Sequence, residues 1–235
     1  MQKQISFKAV VPAFIILCCI SCSRRAYVAS NFDEKTSSHK VVAILPSEMI
    51  MTGKQPAQLS KEDIDKIEEE ESTQFQMALY NSILNHANTG KYITTINFQD
   101  ANTTLRLLKE NNISVRDSWD KNDQELSKIL GVDGLVRMQV RKQRYMSDQA
   151  SYAINAGRNI LNNTRIMSKL PIPVPAQVDK TNDIYASCNL VSDGIGLWND
   201  NYKAVANWNN KPNEIIERIT DEFGSNFPYK QKRRR

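Results

Sequence analysis

The sequence predicts an α/β fold: one mixed β-sheet with helices packed on it, in the order β-α-β-α-α-β, an excursion, then β-β-(β)-α. Three observations carry this. The run Val41, Val42, Ala43, Ile44, Leu45 is apolar without alternation and stops at Pro46, as in a strand buried on both faces. Segment 134–140 alternates, with Val136, Met138 and Val140 opposite Arg137 and Gln139, as in a strand with one wet face. Between and after these strands lie apolar residues at helical spacing, bounded by capping residues.

Ser60 followed by Asp63 forms a capping box, so a helix starts near Lys61, with Ile64 and Ile67 on one face. The acidic run Glu68, Glu69, Glu70, Glu71 reads as a solvated face or a break between two helices. The pattern resumes through Phe75, Ala78, Leu79, Ile83 and Ala87, and Gly90 is a natural C-cap. Segment 47–59, with Gly53 and Pro56, reads as a loop. Residues 92–98 are β-branched and aromatic and form a strand.

Asp100 or Asn102 caps a helix carrying Leu105, Leu107 and Leu108. Asp120 or Asn122 caps another, with Leu126, Ile129 and Leu130, closed by Gly131. Segment 184–191 alternates again, and Asp193-Gly194 is a hairpin turn from which 195–199 returns antiparallel. Residues 202–208 offer a further strand. Pro212 suits the first turn of a last helix whose stripe is Ile215, Ile216, Ile219 and Phe223, ended or weakened at Gly224.

Residues 145–183 fit this order least and read as an insertion or flexible excursion. Residues 151–170 can be helical, and Pro171, Pro173 and Pro175 impose an extended segment. Neither part has the alternation of a membrane-spanning strand.

Residues 1–21 have the build of an export signal: Lys3 and Lys8, then an apolar run from Ala9 to Ile20, then Ser21 before Cys22. Twelve residues of helix reach about 18 Å, short of the roughly 30 Å hydrocarbon core. The end of this stretch resembles a bacterial lipoprotein processing site, with Ser21 before the modified residue and Cys22 receiving the lipid. It departs from that pattern at Cys19, where Leu is usual. The resemblance implies a membrane held through a lipid anchor on Cys22. By similarity to enteric sorting, Ser23 in place of Asp implies the outer membrane, facing the periplasm. The competing reading is an ordinary secretory signal or an uncleaved helix. Residues 22–40 then form a polar tether, 41–229 the α/β domain and 230–235 a basic tail.

The formal charge of +5 is concentrated at the ends. Without Lys3, Lys8, Lys230, Lys232, Arg233, Arg234 and Arg235, 24 basic residues face 26 acidic ones. A nucleic-acid partner is not expected from such a body. With Cys18, Cys19 and Cys22 assigned to the leader, Cys188 is a lone thiol on the inward face of a strand and reads as core.

The pieces VVAILP, TQFQMALYNSIL, ITTINFQD, SKILGVDGLVRMQV, CNLVSDGIGLW and NFPYK, taken together, resemble the α/β domain shared by the TolB amino-terminal domain and the curli-secretion-channel lipoprotein. That resemblance spans about residues 41–229. It implies a non-catalytic envelope domain that mediates assembly or transport through an envelope protein partner or a homo-oligomer. It carries over no active-site residue.

No cofactor or metal site is expected: His39 and His86 lack ligand spacing, and no serine elbow or phosphate loop occurs. Asp133 reads as a turn or capping carboxylate. Trp198, Tyr202 and Trp208, set among Asn199, Asn201, Asn209 and Asn210, are the candidate ligand or partner surface. Aromatic faces beside amides suit a glycan, and the same rings suit a protein hot spot or a core. An envelope hydrolase with an unrecognised site is the third reading.

Overall fold

A computed structural model describes residues 26–56, 59–87, 91–163 and 180–232. The export signal, Cys22, Gly90, the Pro171–Pro175 stretch and Arg233 onward lie outside the described residues.

The fold is a mixed α/β sheet, as the sequence predicts. The strands are β1 (Tyr27–Val28), β2 (Val41–Ile44), β3 (Glu48–Gly53), β4 (Tyr92–Thr94), β5 (Asn97–Phe98), β6 (Gly134–Arg144), β7 (Lys180–Ser192), β8 (Ile195–Asn207) and β9 (Lys230–Lys232). The helices are α1 (Phe32–Thr36), α2 (Lys61–Ala87), α3 (Ala101–Glu110), α4 (Asp117–Asp120), α5 (Asp123–Leu130), α6 (Asp148–Asn163) and α7 (Pro212–Asn226). The main sheet runs β1-β8-β7-β6-β2-β5, with β3 continuing the line of β2 along β6. β2, β3 and β5 are parallel to their neighbours, whereas β6, β7, β8 and β1 pair antiparallel. β4 and β9 form a separate two-stranded sheet.

The alternation along β6 sets the layers. Val136, Met138 and Val140 align with Leu190, Cys188 and Ala186, and β8 extends the rows to Trp198, Asp200 and Tyr202. This face is covered by α2 and α7, with Phe75, Leu79, Ile83, Ile219 and Phe223 in its core. Among the described residues the opposite face is covered only over β2 and the start of β6, where Ala43, Leu45 and Leu135 meet Leu108, Leu126 and Leu130 of α3 and α5. Among the same residues nothing covers the rows Gln139-Ser187-Asn201 and Arg141-Tyr185-Lys203.

The caps follow the sequence. Ser60 and Asp63 exchange their reciprocal bonds at the start of α2, Asn122 caps α5, and Gly131 ends it at φ 67°. Asp193 and Gly194 take positive φ, as a two-residue hairpin requires.

Several expectations are corrected. Segment 47–59 is not all loop, because β3 pairs with β6 over six residues. The acidic run neither breaks α2 nor lies wholly in solvent. Glu68 is buried, accepts the Met51 N–H at 3.0 Å and pairs with Arg116, while Glu71 pairs with Lys142. Gln76, also buried, donates to the Ile44 carbonyl at 2.7 Å. The helix therefore satisfies the outer edge of β2 and β3 with polar side chains, which is why its inward face does not read as an apolar stripe.

The 92–98 strand is two strands in two sheets, split at Thr95 and Ile96. Residues 202–208 supply no third strand, since β8 continues unbroken through Asn207. Within the 145–183 excursion, α6 is helical and β7 already begins at Lys180.

The ends of the chain also fold. Residues 26–40, expected as tether, place β1 on the edge of β8 and Phe32 in an aromatic cluster, 5.4 Å from the Tyr229 ring. Phe227 joins Tyr229 to Trp198 in the same cluster, its ring 5.3 Å from the latter. Lys230, expected in a solvated tail, donates to the Gly224 and Ser225 carbonyls. Gly224 sits inside α7 and does not end it. A Cβ there would lie 2.2 Å from Ser82 Oγ, so any larger residue forces α2 and α7 apart where they cross.

Candidate functional site

The three aromatic candidates do not form one surface. Trp198 is in the core at 1% exposure, because its position on β8 faces α7 and Phe227. Tyr202 is on the same inward side and packs against that core. Only Trp208 is outside, at 36% exposure, stacked edge-on with Tyr152 of α6 at 5.1 Å. The glycan reading that required these rings side by side has lost Trp198 and Tyr202. The flanking asparagines misled here: Leu197 and Trp198 are consecutive and both buried, where β1 and the hairpin register shift close the end of the sheet.

Trp208 belongs to a groove instead. Its cavity of about 520 Å³ lies between the first turns of α2 and α7, against β3 and the open ends of β6, β7 and β8. Its apolar lining includes Met51, Ile64, Ile67, Ile184, Ile215 and Pro212, and Thr181, Asn182 and Asn207 stand among them. Phe75 and Ala206 close the floor. The polar rim holds the Lys142–Glu71 pair, Arg144 and Lys211. A concavity that sets apolar side chains beside amides and charged groups has the make-up of a binding pocket. No single stretch of sequence marks it, because it is assembled from the starts of two helices and the ends of four strands.

A second polar cluster lies at the opposite end of the sheet. Ser192 Oγ donates to the Asp133 carbonyl at 2.8 Å and is 3.1 Å from His39 Nε2. His39 Nδ1 is 2.5 Å from the Tyr229 hydroxyl. The carbonyl can only accept, so the serine proton is committed to it. Nε2 then carries the imidazole proton and donates to Ser192, and Nδ1 accepts from Tyr229. Ser192 thus meets an N–H, where a hydrolase serine needs a basic nitrogen. Burial lowers the His39 pKa despite Asp133 and Asp193 nearby, in keeping with a neutral ring. Asp133 is the capping group expected of it: Oδ2 receives the Val41 and Lys40 N–H groups at 2.9 and 2.7 Å, which hold the carboxyl below its usual range.

Burial pushes the Cys188 thiol far up, so it is not a reactive nucleophile. Among the described residues no cluster of three His, Cys, Asp or Glu side chains could hold a metal, and no helix is long and apolar enough to cross a membrane.

No protein-family model matches the chain, and no curated protein matches it. Solved structures resemble it distantly. Lipoprotein GNA1162 from Neisseria meningitidis is 12% identical, over 78% of this chain and 94% of that one, with a TM-score of 0.40. The PelC dodecamer from Paraburkholderia phytofirmans is 7% identical, over 86% and 91%, at 0.38. The LpoB C-terminal domain from Salmonella enterica is 8% identical, over 74% and 91%, at 0.32. Likenesses this distant do not say what the chain binds.

Proposed function

We propose that this chain is a lipid-anchored protein of a bacterial cell envelope that binds an apolar segment of a partner protein in the groove between α2 and α7. The observation that carries the reading is the position of that groove relative to the anchor. β1 lies against Asn199 of β8, and the groove lies at Asn207 and Trp208. Eight residues of strand separate them by about 27 Å. Cys22, the residue that takes the lipid, precedes β1 by five residues. A membrane-held domain therefore carries this groove away from β1, on the α2/α7 face of the sheet. The role is binding, not catalysis. Ser23 after Cys22 favours the outer membrane, with the domain in the periplasm.

The test is a photo-crosslinking residue in place of Ile67 on the groove wall in intact cells, in chains with Cys22 intact and with Cys22→Ala. The expected result is one discrete adduct to another envelope protein, weakened in Cys22→Ala. An adduct to a second copy of this chain would replace the hetero-partner with a homo-oligomer. No adduct at position 67 in either chain, with a folded protein, would overturn the groove reading.

A further inference from the structure

The chain leaves little distance between the anchor and the fold. Five residues from Cys22 to Tyr27 extend to at most about 18 Å. The segment expected to hold the domain clear of the membrane is largely consumed by β1 and α1, so one side of the domain must lie close to the lipid.

That side has a particular composition. Tyr27 and Val28 are 60% and 48% exposed on the edge strand. Tyr27, Tyr185, Asn201 and Lys203 line one shallow concavity beside it, and Tyr185 is 42% exposed. Arg141 and Lys203 flank Tyr185 in the cross-strand row. Lys203 lies 4.8 Å over the Tyr185 ring and 3.6 Å from Asp183, which is itself buried and also held by Lys180. Arg141 has no ion pair among the described residues. Arg24 and Arg25 add two charges between the anchor and β1. Tyrosines with an apolar body and a polar tip, interleaved with cations, suit the headgroup layer of an anionic bilayer.

We propose that the open sheet face beside β1, with Tyr27, Tyr185, Arg141 and Lys203, rests on anionic phospholipid headgroups. This rests on the lipidation of Cys22 for its orientation, though not for its chemistry. The lipid anchor holds the chain at the membrane, and this surface sets which side of the domain faces it.

Two arms test it. In the first, the mature lipidated protein is labelled with an environment-sensitive fluorophore at Asn201→Cys or at Asn209→Cys on the groove rim, and placed in phosphatidylglycerol vesicles with shallow brominated lipids. Quenching at position 201 and not at 209 is expected. Equal, absent quenching at both sites, with the diacylglyceryl group on Cys22 verified by mass, overturns the proposal. In the second, a chain beginning at Ser23, which contains every described residue, is mixed at low salt with phosphatidylglycerol or phosphatidylcholine vesicles. Preferential partition to the anionic vesicles, reduced severalfold by Tyr27→Ala with Lys203→Glu, is expected. Equal partition to both lipids overturns the surface even where the anchor is real. Anionic preference together with an unmodified Cys22 in cells keeps the surface and refutes the anchor.

Discussion

His39 Nδ1 and the Tyr229 hydroxyl meet at 2.5 Å, a contact between residues 190 positions apart. Through it the segment leading into β2, the end of β7 and the C-terminal segment share one hydrogen-bonded chain. The ring must be neutral for Nδ1 to accept, and burial holds its pKa below the ordinary 6.5. A lowered histidine pKa means the unfolded chain takes the proton first. Its contribution is then complete above about pH 6.5 and is lost as pH falls below that value. Urea midpoints between pH 7.5 and 5 are expected to fall more for the native chain than for His39→Gln, whose amide can both donate and accept. Tyr229→Phe is expected to cost about 1 kcal/mol at neutral pH.

Asp133 acts in a lower window. Its carboxylate receives the Val41 and Lys40 N–H groups where β2 enters the sheet, and its pKa is lowered. The stabilisation is therefore present above about pH 3.8, the ordinary value, and lost as pH falls further. Asp133→Ala is expected to cost about 1–3 kcal/mol at pH 7. In urea titrations the difference from the native chain should shrink towards pH 3, while the loss in Asp133→Asn should be smaller than in Asp133→Ala.

Much of this scaffold could be read from local pattern. β2 stands out by its unbroken apolar run, β6 and the β7–β8 hairpin by alternation and a turn, and Ser60, Asn122, Gly131 and Pro212 sit where their backbone roles need them. β3 could not be read, since Glu48–Gly53 has neither a sustained apolar run nor alternation and is held as strand by β6. Glu68 looked solvated because its burial depends on Met51 and Arg116, which are remote in sequence. The groove was hidden for the same reason, and Trp198 and Trp208 could be told apart only once β1 had covered one end of β8.

Those two tryptophans should separate stability from binding. Trp198 is fully enclosed, and its Nε1 has no hydrogen-bond partner. Trp198→Ala is expected to cost about 3–5 kcal/mol, with Trp198→Phe costing much less. Trp208→Ala should leave the unfolding midpoint within about 1 kcal/mol of native and still abolish crosslinking from a probe placed at Ile67 on the groove wall. A native-like crosslink yield in Trp208→Ala would remove this residue from the interface.

Gly224 and Ser82 set how closely α7 approaches α2. A methyl group at position 224 would meet Ser82 Oγ at 2.2 Å and the Ser82 carbonyl carbon at 2.9 Å, so the helices must separate. Gly224→Ala is expected to destabilise by about 1–3 kcal/mol in spite of the better helix propensity of alanine. Gly196→Ala is the control, since a Cβ there meets nothing within 4 Å. Because α2 and α7 also wall the groove, Gly224→Ala should lower partner crosslinking as well, in a folded protein.

Glu68 guards an edge. Its carboxylate takes the outward N–H of Met51 at 3.0 Å, leaving β3 less able to accept another strand, and Arg116 balances its charge at 3.0 Å. Native proteins blunt sheet edges in this way to avoid pairing with other chains. Glu68→Ala would free that N–H and strip Arg116 of its most buried partner. The expected outcome is a loss of about 2–3 kcal/mol together with concentration-dependent association. Glu68→Gln should keep the bond to Met51 through its carbonyl and stay monodisperse while losing the ion pair. Light scattering across a dilution series distinguishes the two, and a Glu68→Ala chain that loses stability without self-associating would show the carboxylate to be a brace for Arg116 and nothing more.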